Sequence, residues 1–112
     1  MKKIEIGDLR ERITIQAPGD PVDDGGGGKS VFWADLAIVW AAIKPVSNAE
    51  RFYAQQIEVS TTHEIFIRYR TDVKNNMRIL HGEAVYDITS IVDVDGRRRF
   101  LKLMCEEAIS NA

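Results

Sequence analysis

Residues 12–16 alternate, with Ile13 and Ile15 on one side and Arg12, Thr14 and Gln16 on the other. A two-residue period is the signature of a half-buried strand. The same alternation returns from Glu64 to Arg70, where Ile65, Ile67 and Tyr69 oppose Glu64, Phe66, Arg68 and Arg70. Later, Tyr86, Ile88, Val92 and Val94 share a face opposite Asp87, Thr89 and Asp93. Ala37 to Ile43, closed by Pro45, is continuously apolar, and Phe100 to Glu106 forms the last apolar run. The first is short enough to read as a central strand, with Trp40 in the core. Met77 to Leu80 adds a further short strand. About five or six strands in a small chain predict a mainly β fold, a single-domain β-barrel or sandwich spanning 1–112.

One segment carries a helical pattern. Ser47 followed by Glu50 makes a capping box, and Ala49, Phe52, Tyr53 and Ile57 fall on one helical face. A short helix over about residues 47–57 is expected, packed on the sheet. Asp95-Gly96 supplies the positive φ angles of a two-residue hairpin turn. Such a turn sets Val92 opposite Arg99, Ser90 opposite Leu101, Ile88 opposite Leu103 and Tyr86 opposite Cys105. It buries Tyr86, Ile88, Leu101, Leu103 and Cys105 together and leaves Ile91 beside Phe100 on the other face. Ile91 and Phe100 then either meet another molecule or lie beneath the helix.

Residues 18–30 hold two prolines, five glycines and three aspartates. They cannot bury enough apolar area to offset the cost of ordering, so a long mobile loop is expected there. Loops of this length in small domains are usually functional. The 112-residue chain carries 15 Lys and Arg against 17 Asp and Glu, a net charge of −2, which argues against bulk attraction to nucleic acid. A single cysteine excludes an internal disulfide. No apolar run approaches the roughly 20 residues of a membrane helix, and the N-terminus has no signal-like apolar core. The expectation is a soluble intracellular domain.

Candidate chemistry is sparse. Gly28-Lys29-Ser30 ends like a phosphate-binding loop, but Asp23 stands where the first glycine belongs and no helix start follows. His63 and His81 lack metal-ligand spacing, and Cys105 on a strand reads as a small core residue. Asp95 of the Asp93-Val94-Asp95 pair is already used in the turn. No catalytic, cofactor-binding or metal site is assigned, and an enzyme is not expected. Arg97, Arg98 and Arg99 at the hairpin tip are the one basic cluster, suited to an acidic partner or to solubilising a sheet edge. With Ile91 and Phe100 they form the candidate interface.

Gly7-Asp8-Leu9-Arg10-Glu11-Arg12-Ile13-Thr14-Ile15-Gln16 opens a series of blocks with a familiar order. It continues through Trp33, Val39-Trp40-Ala41-Ala42-Ile43-Lys44-Pro45 and Thr62-His63-Glu64-Ile65-Phe66-Ile67-Arg68-Tyr69-Arg70. Tyr86-Asp87-Ile88-Thr89-Ser90-Ile91-Val92-Asp93 and Gly96-Arg97-Arg98-Arg99-Phe100-Leu101 complete it. In order, length and loop position the chain resembles the head–tail joining, or head-closure, proteins of tailed bacteriophages and prophages. The resemblance implies a small β-barrel that forms a ring beneath the portal after DNA packaging and seals the exit. Its implied partners are the portal or adaptor protein, the tail-completion protein and copies of itself, with DNA passing through without sequence-specific contact. Its implied place is the head–tail junction of the virion, and the host cytoplasm before assembly. In such proteins a loop can project into the channel. By position Asp20, Asp23, Asp24, Gly25, Gly26, Gly27, Gly28 and Lys29 are the candidates. The rival reading is an OB- or SH3-like nucleic-acid-binding barrel, which needs a basic groove with exposed aromatics.

Overall fold

The computed structural model describes residues 4–19, 22–23, 29–30, 32–46 and 61–108. The alternating segments become strands: β1 (Glu11–Pro18), β4 (Trp33–Pro45), β5 (His63–Arg68), β6 (Arg78–His81), β7 (Ala84–Asp93) and β8 (Phe100–Glu107). They close into a barrel in the order β1–β4–β5–β8–β7–β6, with each neighbouring pair antiparallel. Closure follows from the residue pattern. Ile13, Ile15, Ile65, Ile67, Ile79, Leu103 and Cys105 are almost wholly sequestered, and they meet Met77, Tyr86, Ile88 and Leu101 in one interior cluster. A sheet that closes on itself hides this face without a covering layer and leaves few free edges.

The outer face is partly covered as well. Residues Ile4 to Leu9 run across it, forming a single 3-10 turn at Ile6–Asp8. The Glu5 N–H donates to Asp8 Oδ2 at 3.0 Å, and the Leu9 N–H closes on the Ile6 carbonyl at 3.1 Å. Ile4 and Leu9 thereby land on Ala42, Phe66 and Phe100, making a second, smaller cluster outside the barrel, with Val94 at its margin. β5 consequently buries Ile65, Phe66 and Ile67 in succession.

The β7–β8 hairpin departs from the expected two-residue turn. β7 ends at Asp93 and β8 begins at Phe100, and a 3-10 turn over Val94–Gly96 and three arginines lie between. Asp95, Gly96 and Arg98 take φ of 59°, 64° and 56°, so Asp95-Gly96 does adopt left-handed backbone, within a longer loop. Ile88 faces Cys105, and Tyr86 faces Glu107. That is a two-residue slip from the expected register, which preserves the buried face. Beyond Ile88 the phase changes: Thr89 is an extra residue, Ser90 pairs with Met104 and Ile91 with Leu103. Such a bulge reverses which face successive side chains meet. Ile91 therefore packs against the interior cluster and Val92 is 44% exposed, opposite to the expectation for both.

Two other expectations change. Trp40 is 50% exposed on the outside of β4, because Val39 and Ala41 take the inward positions. Residues 18–30 are not simply a loop. Pro18 is the last residue of β1, and β2 (Val22–Asp23) pairs with β3 (Lys29–Ser30), joining Val22 to Ser30 and Asp23 to Lys29. The helix expected over residues 47–57 lies outside the described residues.

Candidate interaction surface

The histidines and the cysteine each have separate surroundings. The His63 ring packs edge-on against Tyr86, 4.8 Å between centroids, and its Nδ1 lies 2.9 Å from Thr62 Oγ1. His81 Nε2 meets Glu11 Oε2 at 3.0 Å on the outside. Burial, with a smaller contribution from the Asp87 carboxylate, pushes the Cys105 thiol up to about 12. A thiol held protonated at neutral pH is a poor nucleophile. Among the described residues no three His, Cys, Asp or Glu side chains converge to hold a metal ion.

The exterior is built differently. Along β6, β1 and β4, Arg78 Nε donates to Gln16 Oε1 and Gln16 Nε2 donates to Asp35 Oδ1, both at 2.8 Å. The Arg78 guanidinium also covers the Trp33 ring at 4.2 Å, which fixes this tryptophan where the ribbon joins the barrel. At the start of β1, Arg12 lies over Trp40 at 5.0 Å, its cross-strand neighbour. Trp40, Ile38 and Ile6 are 50%, 58% and 55% exposed. Together with Leu9, Val39, Arg68, Tyr69 and Arg70 they line a groove of about 510 Å³. Past Ile6 and Tyr69 lies a second hollow of about 300 Å³, walled by Arg68, Arg98, Arg99 and Phe100.

The arginine tip is held by its backbone and leaves its charges outward. Both Asp93 carboxylate oxygens accept the Arg98 N–H, at 3.0 and 3.2 Å. The Arg99 carbonyl accepts the Tyr69 N–H at 3.0 Å, and the Arg99 guanidinium lies 5.7 Å from the Phe100 ring. Arg97, Arg98 and Arg99 are all exposed. Arg70 differs, because Asp72 grips its guanidinium through two contacts of 3.0 and 2.8 Å. These hydrogen bonds raise the Arg70 pKa and hold the Asp72 carboxyl below its ordinary value.

Of the five residues grouped as a candidate interface, the arginines share one exposed tip, and the other two part company. Phe100 is buried beneath Ile4 and Leu9 outside the barrel, and Ile91 faces inward. Of the candidate channel residues, Asp23 and Lys29 pair in the β2–β3 ribbon, and Asp20, Asp24 and Gly25 to Gly28 lie outside the described residues. Reasoning from the sequence missed Ile6, Ile38 and Trp40 as surface residues. The available signal was Arg12 and Arg68, which flank Trp40 in the strand pattern and keep its side of the sheet polar.

Residues 4–108 match the model of a family described as phage head completion protein. The chain is 28% identical over 85 residues to head completion protein gp16 of Bacillus phage SPP1, covering 75% of this chain and 78% of that one. The solution structure of protein SF1141 from Shigella flexneri 2a superposes with a TM-score of 0.74 at 29% identity, over 96% of this chain and all of that one. A chain in the virion of a native gene transfer agent particle has the same fold, with a TM-score of 0.64 at 20% identity, over 91% and 97% of the two chains.

Proposed function

The chain belongs to the phage head completion protein family, and on that premise we propose that it is a ring-forming subunit that closes the head beneath the portal after DNA packaging and offers a docking face to the tail. The observation that carries this reading is the extent of the family match, which runs from the outer N-terminal segment through the last barrel strand. The similarity to the SPP1 head completion protein over three-quarters of the chain supports it.

The architecture suits such a role. A closed barrel around one sequestered apolar cluster is a rigid body, and its useful surface is the outside. Arg97, Arg98 and Arg99 form an exposed tip for contact with an acidic neighbour, and the β2–β3 ribbon emerges from the barrel beside Trp33 as the candidate channel element. The partners in this reading are the portal or an adaptor, the tail-completion protein and copies of the chain.

Deleting the chain from a particle-producing strain tests the role. Filled heads that fail to join tails and lose DNA are the expected result, and wild-type numbers of joined particles would overturn the reading. Removing residues 22–28 alone tests the ribbon: joined particles should form and retain less DNA, whereas unchanged retention would rule out a channel role for it.

A further inference from the structure

β4 is thirteen residues long, yet β5 pairs with it only over Ala41–Pro45. β1 pairs along the remainder, from Ala41 back to Trp33. Over Trp33 to Trp40, the side of β4 turned away from β1 therefore has no strand partner among the described residues. A strand edge of this kind presents a row of unmatched N–H and C=O groups, and natural proteins usually blunt it with charge, proline or a cover. Here the edge carries Leu36, Ile38 and Trp40, which are 37%, 58% and 50% exposed.

The groove described above meets this edge at Ile38, Val39 and Trp40. Trp40 and Ile38 form one wall, Arg68, Tyr69 and Arg70 the other, and Ile6 sits between this groove and the second hollow. Asp72 neutralises Arg70, but among the described residues no carboxylate pairs with the side chains of Arg68, Arg98 or Arg99. Three requirements thus coincide: a backbone able to complete a ladder, an apolar floor, and a cationic rim. An extended chain with apolar side chains on one face and carboxylates on the other meets all three, by strand addition.

Two other occupants fit less well. Duplex DNA would satisfy the arginines but leave the strand edge unpaired and Ile38 and Trp40 against a polar backbone. A second copy paired through the same edge would set the Arg68 rim of one chain against that of the other, a like-charge contact. We propose that the Trp33–Trp40 edge of β4 accepts, as an added strand, an extended acidic segment of a neighbouring virion protein other than this chain. The inference rests on the placement of the chain at the head–tail junction proposed above.

Replacing Ile38 with a photo-crosslinking amino acid in assembled particles tests it directly. The expected product joins this chain to an acidic, strand-forming stretch of a different virion protein. A crosslink to DNA or to another copy of this chain, or no crosslink in particles that contain the chain, would overturn the inference. Absence of the chain from the particles would instead overturn the functional reading beneath it. In solution, an eight-residue peptide alternating glutamate and valine should slow amide exchange in β4 at Ala34–Trp40, and its lysine–valine counterpart should not. Arg68→Glu should weaken the glutamate peptide about tenfold or more without altering thermal stability appreciably. Equal binding of both peptides, or no effect of Arg68→Glu, would also overturn it.

Discussion

Cys105 sits at the end of β8 in a site dry enough to push its thiol up to about 12. In the unfolded chain the same thiol releases its proton near 8.5. Between those values the folded state holds a proton that the unfolded state has lost, so stability falls as pH rises through that window and is unaffected below it. Tyr86 acts in the same direction at higher pH, its pKa raised first by burial and then by Glu107 and Cys105. Denaturant midpoints measured from pH 7 to 11 should decline for the native chain, and Cys105→Ala should begin lower but decline less steeply. Alkylation of Cys105 at pH 8 should be slow when folded and fast in denaturant. Trp40 marks where reading residue by residue goes astray. In a run that is apolar at every position from Ala37 to Ile43, hydrophobicity cannot say which alternate faces the interior. Only the polar neighbours Arg12 and Arg68 on adjacent strands carry that information.

Strands were legible as elements wherever apolar and polar residues alternate. Ile13 with Ile15, Ile65 with Ile67, and Leu101 with Leu103 and Cys105 all face inward as their spacing requires. The connection between β7 and β8 was only half legible. Asp95-Gly96 announces left-handed backbone, but the loop's length depends on the Asp93 carboxylate reaching forward to the Arg98 N–H, which no pair of adjacent residues reveals. Asp93→Ala should cost about 1 kcal/mol in urea unfolding, the worth of a hydrogen bond with one charged partner at a partly exposed site. Asp93→Asn should recover part of that loss. The 3-10 segment before β1 was not legible at all, since its apolar residues lack a period. Its role is measurable through Leu9→Ala, which removes a buried contact with Phe66 and Phe100 and should destabilise by about 2–5 kcal/mol.

At the scale of the molecule, barrel closure follows from the interior cluster, but the strength of each seam is a property of register. β1 and β6 are joined by three residue pairs, Thr14 with Leu80, Ile15 with Ile79 and Gln16 with Arg78, against six between β5 and β8. Local opening begins where few bonds and contacts must be given up. Amide exchange should therefore be fastest among the barrel strands in β6, and slowest at Ile65, Ile67, Leu101 and Leu103. Uniform protection around the wall would contradict this order. The extra residue at Thr89 has a bearing on length variation. A closed wall cannot slide one strand by a single step without turning that strand inside out, and Thr89 is where β7 already absorbs such a step. Removing Thr89 would give Ile88 and Ile91 the same two-residue spacing that Cys105 and Leu103 already have opposite them, so both oily side chains would stay inside. A deletion of one residue at this address should thus leave urea stability largely intact, whereas deleting Asp87 makes Tyr86 and Ile88 adjacent and turns one of them to solvent.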